Sequence, residues 1–209
     1  MSYQHHVHRI TREPVWHPVQ CFTAAQLPQQ NRYWLLDDGS LTSRLITASA
    51  GQFSVQRLYQ GWQVPLPSER RLLDLPARER ALVREVILFN AGNAVVYARS
   101  VFPLSCLTGS LGHLRRLHNK PLGAILFKHP GMRRSPFELS ELAGDSDYLP
   151  ANLHQKQPAW GRRSRFNIAG KSLMVSEVFL HKFTPWPNMA PVHRTQRGKV
   201  STANYSTKQ

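Results

Sequence analysis

The sequence predicts an α+β domain with a single antiparallel β-sheet. Two stretches read as β-hairpins, short helical stretches lie between the strand segments, and no internal repeat divides the 209 residues. A chain of this length buries a substantial core within one domain. The domain is expected over residues 29–183, between an N-terminal extension (1–28) and a basic C-terminal tail (184–209).

Residues 1–28 are polar and proline-containing, with Val15, Trp16 and Cys21-Phe22 as docking points. The His5-His6-x-His8 cluster has metal-binding side chains but no evident fourth ligand, so no metal site is assigned. Residues 32–36 form a short helix ending at Gly39, and Ser40 caps a second helix over 41–47. The backbone N–H groups of Gly39, Ser40 and Leu41 would then stand at a helix N-terminus, where an anion can bind. An ordinary capped turn has the same signature. Residues 52–64 alternate as a strand with Phe53, Val55, Arg57 and Tyr59 on one side, and Pro65, Pro67 and Pro76 interrupt regular structure after it.

Residues 82–89 and 94–101 flank Asn90-Ala-Gly-Asn93. With Ala91-Gly92 as the loop, Arg84 falls opposite Arg99, on a face shared with Val86, Leu88, Val95 and Tyr97. Like charges placed directly opposite destabilise a sheet. The pattern therefore calls for an anion between them, either a protein carboxylate or a ligand whose carboxylates suit the arginine fork. Pro103 ends the hairpin. A helical, basic segment runs to about His118, Pro121 starts another helix, and residues 137–142 fit a strand or a helical turn. Residues 144–158 read as a surface loop.

The last hairpin pairs 164–168 with 172–179 across Gly170-Lys171, a type II′ loop. Ile168 then opposes Leu173, Phe166 opposes Val175 and Ser164 opposes Glu177. Glu177 shares its face with Phe166, Ile168, Leu173, Val175 and Phe179, so a carboxylate points at an apolar, buried surface. Such a group is costly unless a partner or a function holds it. Arg162, Arg163 and Arg165 read as solvated edge charges.

A net charge of +15 directs attention to nucleic acid or anionic surfaces. Many of the cations sit in two acid-free stretches, and neither a zinc finger nor an aromatic RNA-binding strand nor a helix-turn-helix is present, so no specific nucleic-acid partner is expected. No apolar run spans a membrane, the N-terminus lacks a signal segment, and only Cys21 and Cys106 occur. A cytoplasmic monomer without a disulfide is the expectation. Cys106 has no histidine at an interpretable spacing and reads as core packing.

With these features in view, the chain resembles the chorismate lyase family. The matching stretches are Trp34-Leu-Leu-Asp-Asp-Gly-Ser-Leu-Thr-Ser-Arg-Leu45, Arg84-Glu-Val-Ile-Leu88 through Arg99-Ser-Val-Phe-Pro103, Pro121-Leu-Gly123 with Leu126-Phe127, and Trp160-Gly-Arg-Arg-Ser-Arg165 through Glu177-Val-Phe-Leu180. The resemblance implies one sheet with a ligand buried beneath two helical flaps. It also implies conversion of chorismate to 4-hydroxybenzoate and pyruvate at the entry to ubiquinone synthesis, without a metal or organic cofactor. The implied substrate-binding positions are Leu41, Arg84, Leu122 and Glu177, with Arg99 near the enolpyruvyl end. Arg84 would hold the ring carboxylate beside the N–H groups of Leu41 and Leu122, and Glu177 would face the ring hydroxyl. Leu41 stands where relatives carry Met, loop 144–158 is longer than the pattern, and the tail has no counterpart.

The implied chemistry is modest. Loss of pyruvate makes the ring aromatic, so the protein must supply a proton to the departing enolpyruvyl group and remove one from the carbon bearing the hydroxyl. Glu177 suits that acid/base work, and Arg84 suits the clamp on the ring carboxylate. Two other readings use the same residues. Arg84, Arg99 and Glu177 also fit an internal salt-bridge network, and a non-catalytic small-anion-sensing domain of the same general fold needs the same binding groups.

Overall fold

The structure, a computed structural model, describes residues 10–49 and 51–183 and the backbone pairing of 193–194 with 200–201. The His5-His6-x-His8 cluster lies outside the described residues, as does most of the basic tail.

Eight strands form one antiparallel sheet in the order β1-β6-β7-β8-β4-β3-β2, with β5 added to β7. The strands are β1 (His17–Pro18), β2 (Phe53–Gln63), β3 (Ala81–Asn90), β4 (Asn93–Pro103), β5 (Arg133–Arg134), β6 (Glu138–Leu142), β7 (Ala159–Ile168) and β8 (Lys171–Phe179). Four short α-helices accompany them: α1 (Arg32–Leu36), α2 (Leu41–Ala48), α3 (Pro67–Leu73) and α4 (Leu122–Leu126). Two 3₁₀ helices, Leu104–Cys106 and Gly109–Arg116, lead into α4. The expected α+β class with one antiparallel sheet is the architecture observed.

Both hairpins form, and each differs from the sequence reading in a way that fixes a face. In β3–β4 the loop is Ala91-Gly92, with φ of 48° and 76°, as expected. Phe89 then faces Ala94 but Leu88 faces Val96, which leaves Val95 as a β-bulge. From there on the pairing moves by one residue, so Arg84 faces Ser100 and Arg99 faces Glu85. A one-residue slip sends every later side chain to the other side. Arg84 and Arg99 are therefore on opposite faces, which corrects the expectation that they share one. A second bulge at Leu58 separates Arg57, opposite Val86, from Tyr59, opposite Glu85, so Tyr59 also leaves the expected face.

In β7–β8 the loop is Ala169-Gly170, with φ of 51° and 77°, a type I′ pair rather than Gly170-Lys171. Ile168 faces Lys171, Phe166 faces Leu173 and Arg162 faces Glu177. This register differs from the expected one by two residues, an even number. Glu177 therefore keeps its face with Phe166, Ile168, Leu173 and Val175.

One face of the sheet is covered by α1, α2, α4 and the basic 3₁₀ segment, over Leu41, Leu45, Val86, Leu88, Ala98, Leu111, Leu122, Phe166 and Leu173. The other is covered by α3 and residues 142–153. Pro67 at the first position starts α3, and Glu69 Oε2 accepts from the Leu66 N–H. Residues 144–158 do not form a surface loop: Tyr148 and Leu149 are buried, and a side chain on Gly144 would collide with the Gln155 carbonyl. The extension also packs, since β1 pairs with β6, Ala24 and Leu27 are buried, and Trp16 meets Tyr148 edge-on at 6.0 Å.

Candidate active site

Beneath α2 and α4 the sheet leaves a cavity with about 530 Å³ of empty space, counting its open mouth. Its floor is Val55, Arg84, Val86, Leu88, Ala98, Ser100, Phe166, Val175 and Glu177, all on one face. Gly39, Leu41 and Thr42 close it from one side, and Pro121, Leu122, Gly123, Leu126 and Phe127 from the other. A largely apolar cleft with a few convergent polar groups is the usual form of a small-molecule site.

The first residues of two helices face the guest space. Leu41 opens α2, where Ser40 Oγ accepts from the Ser43 N–H, and Leu122 opens α4. The leading N–H groups of a helix have no partner within it, and both helix starts line the cavity. The expected pairing of Leu41 with Leu122 is thus a pairing of two helix starts. Gly123 permits the close approach of the covering segments, because a Cβ there would sit 3.0 Å from Thr42 Oγ1 and 3.2 Å from Ser40 Oγ.

Arg84 stands at one end. It is 2 % exposed, and its Nη2 donates to the carbonyls of His118 (3.0 Å) and Lys120 (2.9 Å) on the segment leading into α4. No carboxylate of the described residues pairs with it. Its Nε is buried with no hydrogen-bond partner. Burial, helped by the charge of Arg57, lowers its pKa to about 10. A cation stripped of water and lacking a counter-ion is a strong anion receptor.

Glu177 stands at the other end, 14 % exposed at the side chain. Its Oε2 accepts from Arg162 Nε at 2.6 Å and lies 3.9 Å from Arg134 Nη2. Arg162 is no edge charge. It is 1 % exposed, and its Nη1 also donates to the carbonyls of Trp34 and, at 2.6 Å, Asp37, so it ties Glu177 to the end of α1. Arg163 is likewise buried, between Glu138 and Ser68, while Arg165 reaches Asp74 at the surface. The sequence reading missed them because a guanidinium buried between carbonyls and carboxylates is not distinguished by spacing from a solvated one.

Arg99 is absent from this cavity. On the far face its guanidinium meets Glu69 at 2.7 and 3.2 Å and Glu85 at 2.5 Å, and it is 2 % exposed. The carboxylates hold its pKa well above the ordinary arginine value against the opposing effect of burial. Arg99 is therefore spent on the sheet's back, and its assignment to the substrate site is withdrawn. Arg134, one of the cations of the acid-free stretch before β6, lines the cavity instead. Cys106 is buried, and burial pushes its thiol up to about 11, which leaves it protonated and unsuited to attack. Among the described residues no cluster of His, Cys, Asp and Glu could hold a metal ion.

The sheet thus carries a small covered cavity, cationic at one end and carboxylate-bearing at the other. The fold recurs in the ligand-binding domain of a putative GntR-family transcriptional regulator from Bordetella bronchiseptica, with TM-score 0.50, 16 % identity, and coverage of 68 % of this chain and 92 % of that one. It recurs also in a PhnF C-terminal domain, with TM-score 0.50, 14 % identity, and coverage of 64 % and 87 %. Sequence narrows the class. The family model for chorismate lyase matches residues 13–186. A probable chorismate pyruvate-lyase of Methylococcus capsulatus is 42 % identical over 160 residues, covering 75 % of this chain and 98 % of that protein. Another, from an Azoarcus species, is 44 % identical over 157 residues, covering 71 % and 82 %. The chain belongs to the chorismate lyase family.

Proposed function

We propose that the protein is a lyase that removes pyruvate from chorismate and releases 4-hydroxybenzoate, feeding ubiquinone biosynthesis. The observation that carries this reading is the placement of Arg84 and Glu177 at the two ends of one covered, largely apolar cavity. In 4-hydroxybenzoate the carboxylate and hydroxyl lie across the ring from each other, and the cavity offers a cation at one end and a carboxylate at the other. Arg84 holds the ring carboxylate, joined by the N–H groups of Leu41 and Leu122, and Glu177 takes the ring hydroxyl.

The reaction is an elimination. The bond between the ring carbon and the enolpyruvyl oxygen breaks, the proton on the neighbouring hydroxyl-bearing carbon leaves, and the ring becomes aromatic. The departing enolpyruvate takes up one proton to become pyruvate. Glu177, at the hydroxyl end, removes the ring proton and is the source of the proton that enolpyruvate needs. The walls exclude water and hold the ring in the reacting orientation. No metal or organic cofactor enters this scheme.

The enzyme reading is favoured over a small-anion sensor by the family and by the carboxylate at the second end, which a mere anion trap does not need. Incubating purified protein with chorismate and following 4-hydroxybenzoate by absorbance and pyruvate by a coupled assay tests it. Equimolar appearance of both is expected, and tight chorismate binding without either product would overturn it.

A further inference from the structure

Chorismate carries two carboxylates, and Arg84 with the two helix starts provides for one. We infer that Arg134 binds the second, the carboxylate of the enolpyruvyl group, and is a catalytic residue that determines specificity for the dianion. The inference rests on the proposed chorismate lyase activity and adds to it a group that neither the ring carboxylate nor the hydroxyl requires.

Three features of the site lead there. Arg134 lines the cavity beside Glu177, at the hydroxyl end and not the Arg84 end. In chorismate the carbon bearing the ether adjoins the carbon bearing the hydroxyl. A substrate anchored by Arg84 and Glu177 therefore delivers its enolpyruvyl carboxylate close to whatever flanks Glu177. The second feature is how the guanidinium is held. Its Nε donates to Ser164 Oγ at 2.7 Å and its Nη1 to the Asp38 carbonyl at 3.3 Å, while Phe137, Phe166 and Phe127 ring it at 4.1, 4.9 and 5.9 Å. Its Nη2 makes no closer ion pair among the described residues than the 3.9 Å approach to Glu177, and the side chain lines the cavity. The third is charge. Glu177 already serves Arg162 at 2.6 Å, so two guanidiniums share one carboxylate. Burial and then Arg162 lower the Arg134 pKa to about 9, against the opposing effect of Glu177, Asp37 and Asp38.

When the ether bond breaks, the electron pair leaves with the enolpyruvyl oxygen and the negative charge on that fragment grows from one to two until a proton arrives. A fixed guanidinium on its carboxylate steadies the fragment at that moment. After protonation pyruvate keeps one charge, and the product left on the ring has lost its claim on Arg134. The same residue thus favours substrate over product.

The test compares two ligands in the full-length protein: 4-hydroxybenzoate, with one carboxylate, and 3-(carboxymethoxy)-4-hydroxybenzoate, a stable aromatic with the second carboxylate on a neighbouring ether. Arg134→Gln is expected to weaken the second ligand 30-fold or more by calorimetry and the first no more than threefold. Arg134→Lys, which keeps the charge, recovers most of the difference and guards against a variant that merely folds poorly. For chorismate, kcat/KM is expected to fall about 100-fold in Arg134→Gln. Equal losses for both ligands, or no loss for the dianion, overturn the inference. Absence of turnover in the unaltered protein would instead refute the lyase reading, and the two binding measurements would still stand on their own.

Discussion

Arg162 Nε donates to Glu177 Oε2 at 2.6 Å across the β7–β8 ladder, where the two residues are directly opposite. The contact fixes the carboxylate at the edge of the cavity and leaves its other oxygen for a guest. Arg162 in turn is anchored to backbone carbonyls at the end of α1, so the orientation of the proposed acid/base group is set by α1 and not by α2 or α4, which close the cavity.

Glu177→Gln preserves shape and hydrogen bonding but cannot exchange a proton. It is expected to bind 4-hydroxybenzoate within about threefold of the unaltered protein and to lower kcat by about 100-fold or more. Calorimetry and single-turnover kinetics read the two quantities separately. Undiminished kcat would remove Glu177 from proton transfer.

Arg84→Ala removes a desolvated cation at the carboxylate end. A loss of about 3 kcal/mol in transition-state binding corresponds to two decades or more in kcat/KM. Because Arg84 also holds the carbonyls of His118 and Lys120, amide exchange in residues 117–123 is expected to quicken in this variant. Unchanged protection there would mean that the contact does not restrain the segment.

Arg99→Ala acts on the other face. It strands Glu69 and Glu85 in the interior, and losing one partner of a buried ion pair costs about 3–5 kcal/mol. A melting temperature lower by several degrees with 4-hydroxybenzoate affinity kept within threefold is the expected pair of results. Loss of affinity in protein that remains folded would return Arg99 to the binding site.

Gly123→Ala inserts a methyl group 3.0 Å from Thr42 Oγ1 and 3.2 Å from Ser40 Oγ, at the seam between the covering segments. The clash is with side chains, so the fold survives and the seam parts. Product dissociation measured by stopped-flow fluorescence is expected to accelerate about tenfold, with the melting temperature little altered.

The arginine cations set the pH dependence. Arg84 and Arg134 have folded pKa values of about 10 and about 9, both below the ordinary 12.5. The unfolded chain therefore binds more protons at alkaline pH, and their contribution to the stability of the ligand-free fold rises as pH climbs past about 9. A bound carboxylate favours their charged forms, so anion affinity is full below that pH and declines above it. Calorimetric titrations between pH 7 and 10 check the sign, and affinity increasing with pH would contradict it.

Much of the site was legible in the sequence, and the exceptions have physical causes. Glu177 could be placed because a charged residue in an apolar period-two pattern faces inward whichever even register the hairpin adopts. The Ser40-capped helix and the Pro121 start were legible because caps are local. Arg99 was misplaced because nothing in Asn90-Ala-Gly-Asn93 or its flanks marks Val95 as a bulge, and one extra residue inverts the rest of the strand. Tyr59 was misplaced for the same reason at Leu58. Helix α3 was hidden by its prolines, although Pro67 at a first helical position starts a helix as well as it breaks a strand. Arg134, Arg162 and Arg163 resembled surface charge because burial depends on what other segments bring to them, namely Phe137, Glu138, Ser68 and the carbonyl end of α1.

The unpaired Val95 has a wider consequence. Which arginine meets the guest and which braces the back of the sheet is decided by whether that one residue stands outside the ladder or within it, independently of either arginine's identity. Drawing Val95 into the ladder opposite Leu88 would exchange the sides of everything from 96 to 103, turning Ser100 away from the guest and bringing Arg99 toward it. Hairpin register, then, is as much a part of this protein's chemical specification as the side chains it carries.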